Sequence, residues 1–380
     1  MKMYMKSNYL TVTAFAALTI LLSACGSDTE STIDTPMSEV DLGVQASITN
    51  TVIPAINNFS QDITELNASI DSFCSNVNEA NLTLLQTAWK ESFISWYQLL
   101  PFQLGPLVLT DDNAAILNYI DFYRNSSVVL RTSNLNDINS GLNALMSGAA
   151  ITETSLTNNL SKNVGLLVLE TAIYSTLSDS TTTSDIVTEF SGPSKKCDII
   201  QALGYALNER TSFIKSQWTM DYRGTGENYL NLFTNNELEN FDYGSSFDND
   251  NKGTPASETL IVALQEFLDF VGNSDSLNEL TRFSSDVLWD AYAASIGSIE
   301  SILDQSANTE LTLYAIMKSN GYEQDVETIQ TSLTFIKQAI ADKNTVDFIA
   351  AAKALDGNFK TSVIDGLNIN KGLTFADGDS

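Results

Sequence analysis

The chain contains no histidine among its 380 residues, and this absence removes the side chain on which many hydrolytic centres depend. Without imidazole, neither a Ser-His-Asp triad nor a Cys-His dyad can form. The HExxH zinc helix and a tetrahedral zinc site of histidine and cysteine are excluded for the same reason. Any bound metal would be held by carboxylate, carbonyl or tyrosine oxygens, and these favour hard cations.

Glu170 is the carboxylate whose surroundings most directly raise the question of a function. It lies within the apolar run VGLLVLETAIY, residues 164–174. A charge on a buried helix face is unfavourable unless it is paired. Two interpretations stay open: the carboxylate pairs with an arginine or a helix N-terminus, or it forms part of the wall of a ligand or cation site.

The N-terminal segment is typical of a bacterial lipoprotein signal. An apolar stretch from Leu10 to Leu22 follows a short positive region and ends in LSAC. This stretch is too short to span a bilayer as a mature helix. The ending resembles a lipobox, which predicts a signal peptide over residues 1–24 and lipidation of Cys25. Gly26 resembles the sorting signal for the outer membrane, so we expect a lipid anchor there and a chain that faces the periplasm. A plain signal peptide with an incidental cysteine is the alternative.

Charge and length narrow the class of protein further. The net charge is −28, and such a surface repels phosphate backbones, so we expect no nucleic-acid partner. Residues 25–40 are polar and acidic and are predicted to form a flexible tether. The remaining length is sufficient for two domains.

Two cysteines remain beyond the predicted lipidation site, Cys74 and Cys197. The signal peptide implies export to an oxidising compartment, where an even pair of cysteines is more often a disulfide than two free thiols. We therefore predict that these two residues are bonded. The bond would connect an early helix to a later one.

Helical spacing dominates the pattern of apolar residues. They recur at intervals of three or four from Val44 to Phe73, which predicts one amphipathic helix bent at Pro54. Residues 219–253 are rich in Asn, Asp and Gly and are predicted to be mostly loop. Further helices are predicted over residues 82–101, 113–129, 137–146, 156–177, 194–218, 254–270, 284–303, 326–340 and 345–355. The predicted fold is all-α, with two helical-bundle domains packed side by side at residues 41–220 and 221–370.

Several segments resemble the imelysin family of bacterial envelope proteins, whose motif is Gly-x-His-x-x-Glu. Gly165 and Glu170 match its first and last positions, while Leu167 replaces the histidine. The resemblance covers most of residues 41–365. It also rests on the segments LQTAWKESFISWYQLLPFQLGPL, IDFYRNSSVV, KKCDIIQALGYALNERTSFIKSQW and TRFSSDVLWDAYAASIGSIESIL.

The resemblance implies two helical domains and a site lined by the motif helix near their interface. Arg124 and Arg282 lie in family-like segments and are therefore the candidate partners of Glu170. Ser284 and Asp286 follow at a predicted helix start, where a helix N-terminus can hold an anion. We predict that these four residues bind ligand together with Gly165 and Glu170.

The resemblance also sets the expected function and its alternatives. Family members are associated with iron uptake, so iron is a possible cofactor and iron-uptake components are possible partners. Histidine and glutamate at i and i+3 share a helix face and can share a metal ion, whereas leucine cannot take part. Glu170 is thus the only metal-ligand candidate in the motif. We expect non-enzymatic binding of a ligand or metal. The alternatives are a metal-dependent peptidase, or a structural or partner-binding protein whose site has decayed.

Overall fold

A computed structural model describes residues 38–109, 116–121, 132–156, 163–193, 195–235, 255–273, 283, 285–305 and 311–369. Within these ranges the regular structure is helical throughout, and the all-α prediction is confirmed. The α-helices are α1 (Glu39–Ser47), α2 (Ile53–Ser75), α3 (Glu79–Leu99), α4 (Ile116–Asp121), α5 (Thr132–Ser147), α6 (Leu166–Tyr174), α7 (Thr183–Ser191), α8 (Lys196–Thr219), α9 (Tyr229–Thr234), α10 (Ala256–Gly272), α11 (Ser285–Asp304), α12 (Leu313–Ser319), α13 (Glu323–Ala341), α14 (Thr345–Asn358) and α15 (Ile364–Leu367).

The first predicted helix is interrupted by a wider turn. A π-helical turn over Ile48–Val52 separates α1 from α2, and Pro54 follows it in the first turn of α2. Proline lacks an N–H donor, and its ring clashes with the carbonyl four residues earlier. A widened turn just before Pro54 relieves both problems while the chain continues as helix.

Packing of α2 creates the first layer of the core. Its predicted apolar stripe is buried, and the helix packs along both α3 and α8. Helix α3 in turn packs against α11, and α11 also contacts α13, which pairs with α14. Helix α10 packs on α14 as well. Helix α11 therefore connects the α2–α3–α8 group to the α10–α13–α14 group. The predicted division at residue 220 stays a prediction.

Short helices account for most of the differences from the predicted elements. The described part of the predicted helix over residues 156–177 is helical only from Leu166, because Gly165 interrupts it. Helix α7 lies between the helices predicted over residues 156–177 and 194–218, where no helix was predicted, and α9 lies within the predicted loop. The hydroxyl of Thr182 caps α7 by accepting a hydrogen bond from the Asp185 N–H. Local capping stabilises such helices, and apolar periodicity does not reveal it.

The predicted disulfide is confirmed. Cys74 lies near the end of α2 and Cys197 near the start of α8, with their Cα atoms 5.6 Å apart. The bond joins residues separated by 123 positions in the sequence. In the described ranges, no helix is both long and apolar enough to cross a membrane.

Replacing both cysteines, as Cys74→Ser with Cys197→Ser, is expected to lower the free energy of unfolding by about 2–5 kcal/mol. The physical reason is that the open chain regains the loop entropy which the bond removes from the unfolded state. Urea denaturation under oxidising conditions measures the change. Reductant should lower the midpoint of the wild-type protein and leave the double variant unaffected. Equal urea midpoints for the wild-type protein and the double variant under oxidising conditions would contradict a stabilising bond.

Asp62 lies half-buried between α2 and α3, and burial raises the pKa of its carboxyl group. A hydrogen bond from Ser95 lowers that pKa in part, and the nearby charge of Glu65 raises it. Because the folded-state pKa exceeds the unfolded value, ionised Asp62 destabilises the fold above the folded pKa. The penalty is removed as the pH falls through the folded-state pKa toward the ordinary aspartate pKa of 3.8.

Asp62→Asn is therefore expected to raise the melting temperature at neutral pH, because the amide carries no charge to desolvate. The gain should shrink as the pH approaches 4, where wild-type Asp62 also becomes neutral. Thermal melts of the two proteins across this range measure the effect. Asp290→Asn, at an exposed position of α11, is the control for removing one negative charge from the chain. A constant difference at every pH would contradict the assignment.

Candidate functional site

The motif helix α6 begins at a position that only glycine suits. Gly165 has a φ of +96°, a conformation that L side chains rarely adopt. A Cβ atom there would lie 2.5 Å from the carbonyl oxygen of Ile120, which belongs to α4. Close contact between the two backbones thus fixes where α6 starts.

Helix α3 holds α6 at both ends. The indole Nε1 of Trp89 donates a hydrogen bond of 2.9 Å to the carbonyl oxygen of Leu166. The side-chain amide of Gln86 donates one of 2.9 Å to the carbonyl oxygen of Ile173. The hydroxyl of Tyr174 donates a hydrogen bond of 3.2 Å to the backbone carbonyl oxygen of Gln86. These contacts explain how a helix of nine residues, eight of them buried, is fixed inside the protein.

Glu170 is fully buried within α6, and a backbone donor contacts its carboxylate. The N–H of Phe283 donates a hydrogen bond of 3.2 Å to Oε1. Phe283 lies two residues before Ser285, the first residue of α11. The donor therefore belongs to the segment that leads into this helix, which we call the approach to α11. Its ring stacks on Tyr174, with centroids 6.1 Å apart. The two interpretations of Glu170, a paired carboxylate or part of the wall of a ligand site, both stay predictions.

Of the other predicted ligand-binding residues, the structure describes only Asp286. Arg124, Arg282 and Ser284 lie outside the described residues, as does the predicted lipidation site Cys25. Asp286 lies in the first turn of α11 and is exposed. The Lys343 ammonium donates a hydrogen bond of 2.6 Å to its Oδ1. This hydrogen bond and the positive charge lower the pKa of Asp286.

A second buried carboxylate, Asp121, was not predicted as a site residue. It ends α4 directly after Ile120, whose carbonyl contacts Gly165, and only 1% of its surface is exposed. The sequence carries a signal for it, because Asp121 is flanked by apolar and aromatic residues, Tyr119 and Ile120 before it and Phe122 and Tyr123 after it. The same reasoning that selected Glu170 would have selected Asp121.

The described residues around Glu170 supply too few ligands to hold a metal ion by themselves. Leu167 is buried and carries no ligand atom where the resemblance places a histidine. Among the described residues, no group of three or more histidine, cysteine, aspartate or glutamate side chains could hold an ion. One carboxylate falls short of the six or more oxygen ligands that hard cations such as calcium prefer. The metal assignment of Glu170 stays a prediction.

Gly165→Ala is expected to destabilise the protein by roughly 2–4 kcal/mol, because it combines a strained φ with a clash against the Ile120 carbonyl. Chemical denaturation measures the change. Gly297→Ala is the matched control, since a Cβ atom at Gly297 meets no atom within 4 Å. In mid-helix this control should be neutral or slightly stabilising. A neutral Gly165→Ala variant would contradict the close contact between α4 and α6.

Comparisons with known proteins agree on one family. The Imelysin family model matches residues 52–365. An imelysin-like protein from Psychrobacter arcticum 273-4 superimposes with a TM-score of 0.62 at 14% identity, covering 89% of this chain and 99% of that chain. A "putative iron-regulated protein A precursor" from Parabacteroides distasonis has a TM-score of 0.57 at 14% identity, covering 90% and 98% respectively. At these identities the structural likeness shows the fold alone. A search of curated proteins found no match. Because the family model matches most of its length, the chain belongs to the imelysin family.

Proposed function

We propose that this protein is a non-enzymatic binding protein of the bacterial cell envelope that serves iron acquisition. The observation that carries the proposal is which residues occupy the motif positions and what they contact. Leu167 supplies no ligand atom, and Glu170 is buried with its carboxylate accepting the Phe283 N–H. Such a carboxylate is suited to hold a hydrogen-bond donor in a fixed position. It is poorly placed to activate water, because a general base must reach the proton that it removes.

The link to iron is supported by family membership and by one structural neighbour that is described as an iron-regulated protein precursor. The sequence supports the envelope location through its signal segment and Cys25. Two acyl chains on Cys25 would suffice for stable anchoring at the outer membrane, whereas one would not. Components of an iron-uptake system are the partners that this proposal implies.

The ligand site in this proposal combines α6, which carries Glu170 and follows Gly165, with the first turn of α11, which carries Asp286. Arg124, Arg282 and Ser284 lie outside the described residues and enter the proposal from the sequence alone. The Phe283 N–H donates to Oε1 of Glu170 in the structure, so a cation or other ligand that bound this oxygen would displace the donor. Binding is thus expected to change the environment of Phe283 and of Tyr174, whose ring stacks upon it.

The test is equilibrium binding of Fe²⁺ and of ferric citrate to the full chain purified without chelators, followed by calorimetry and metal analysis. Glu170→Gln keeps an acceptor for the Phe283 N–H but removes the charge, and is expected to weaken binding at least tenfold. The fold should be retained, as judged by circular dichroism. Glu209→Gln, at an exposed position of α8, is the matched control and should bind as the wild type does.

Three results would contradict the proposal. The first is unchanged binding of both iron forms by Glu170→Gln, and the second is no binding by the wild-type protein. The third is cleavage of denatured casein by the purified protein that stops on addition of a chelator, which would assign the protein to the metal-dependent peptidases instead.

A further inference from the structure

We infer that the Cys74–Cys197 disulfide is a redox-sensitive control of the motif helix α6, which it reaches through the neighbouring residue Lys196. The inference rests on the proposed function only in that α6 carries Glu170. It concerns a junction where the end of α2, the end of α7 and the start of α8 meet the chain that leaves α6.

The first step is the contact that fixes the end of α6. Ser175 caps this helix, five residues beyond Glu170, and its carbonyl oxygen accepts a hydrogen bond of 2.7 Å from the Lys196 ammonium. The same ammonium pairs with the carboxylate of Glu189 in α7. The other oxygen of Glu189 accepts a hydrogen bond of 2.9 Å from the Leu177 N–H. Lys196 and Glu189, which we call the α6 anchor, therefore bind the chain at two points just after the motif helix.

The second step connects the α6 anchor to the disulfide. Lys196 immediately precedes Cys197 in the first turn of α8, and its ammonium lies 4.7 Å from the ring centroid of Phe190. Phe190 packs edge-on against Phe73, with ring centroids 4.9 Å apart, and Phe73 immediately precedes Cys74. Cys74 and Cys197 are thus each preceded by a residue, Phe73 or Lys196, that contacts the ring of Phe190.

The third step is that the start of α8 has weak support of its own. Its N-cap residue is Lys195, whose side chain makes no capping hydrogen bond. An uncapped first turn frays more readily, because its N–H groups lack acceptors. The disulfide fixes this turn covalently to the end of α2. Cys74 and Cys197 are half-buried rather than enclosed, so a reductant can reach the bond.

The fourth step concerns the free-energy cost of burying the Lys196 ammonium. Only 4% of its side chain is exposed, and burial lowers the pKa of its ammonium, which its bond to Glu189 opposes. A buried ammonium gains hydration as soon as its backbone can move outward. Fraying of the first turn of α8 therefore releases the α6 anchor, and the chain just after α6 loses its hydrogen bond from Lys196 while the contacts of α6 with α3 remain.

The chemistry of the switch is thiol–disulfide exchange with a dithiol reductant. A thiolate of the reductant attacks one sulfur of the Cys74–Cys197 bond and forms a mixed disulfide, while the other cysteine leaves as a thiolate and takes up a proton. The second thiol of the reductant then displaces the remaining cysteine. The protein gains two electrons and two protons, and the reductant becomes a disulfide.

Hydrogen exchange of the full chain tests the inference, with dithiothreitol as the reductant and alkylation of the released thiols. Reduction is expected to speed exchange at the amides of residues 171–177 by at least tenfold more than at those of α13, which respond only to the loss of global stability. Lys196→Met in the oxidised protein should produce the same local change, and reduction should add little to it. Lys195→Met is the matched control, because Lys195 donates to the carbonyls of Gly148 and Ala149 instead.

Unchanged exchange over residues 171–177 after verified reduction would overturn the inference. So would a uniform increase that includes α13, because this would show global loosening rather than a local release. The readout needs no ligand, so failure of iron binding contradicts the proposed function and leaves this result untouched. Conversely, iron binding with unaltered exchange on reduction would contradict the switch alone.

Discussion

The burial of Glu170 is the constraint on which the rest of this structure depends. A carboxylate inside a helical core is tolerated only where donors replace the water that it loses. Here the N–H of Phe283 is one such donor, so the approach to α11 must lie against α6. Helix α11 also packs along α3, and α3 holds both ends of α6. One buried charge thus fixes the relative positions of three helices.

The close backbone contact between Gly165 and Ile120 also fixes the position of α6. Gly165 allows the backbone to pass against α4, and this contact places Asp121 and Glu170 on neighbouring elements. At the other end, Lys196 and Glu189 hold the chain that follows Ser175. A helix of nine residues has little stability of its own, since most helical stability in proteins comes from tertiary packing. Its geometry is therefore set by what surrounds it, which makes it suited to transmit changes from either end.

Sequence reasoning reached the fold more readily than the site. The apolar stripe of α2 repeats every three or four residues, so periodicity alone identified both the helix and its buried face. In α6 nearly every residue is apolar, so the spacing of apolar residues does not distinguish a buried face from an exposed one. The first residue of the helix could therefore not be predicted from the sequence. The positive φ of Gly165 and the bond from Trp89 to Leu166 depend on contacts between distant segments. The pairing of Cys74 with Cys197 was predictable because only two cysteines remained, but the role of Lys196 beside it needed coordinates.

The most direct test of the central claim is the hydrogen exchange of one amide, that of Phe283, followed by NMR with selective ¹⁵N-phenylalanine labelling. If the Glu170 carboxylate is satisfied by the approach to α11, this amide is protected in the wild-type protein. It should lose that protection in Glu170→Ala while the phenylalanines of α2 keep theirs. An unprotected Phe283 amide in the folded wild-type protein would contradict the account.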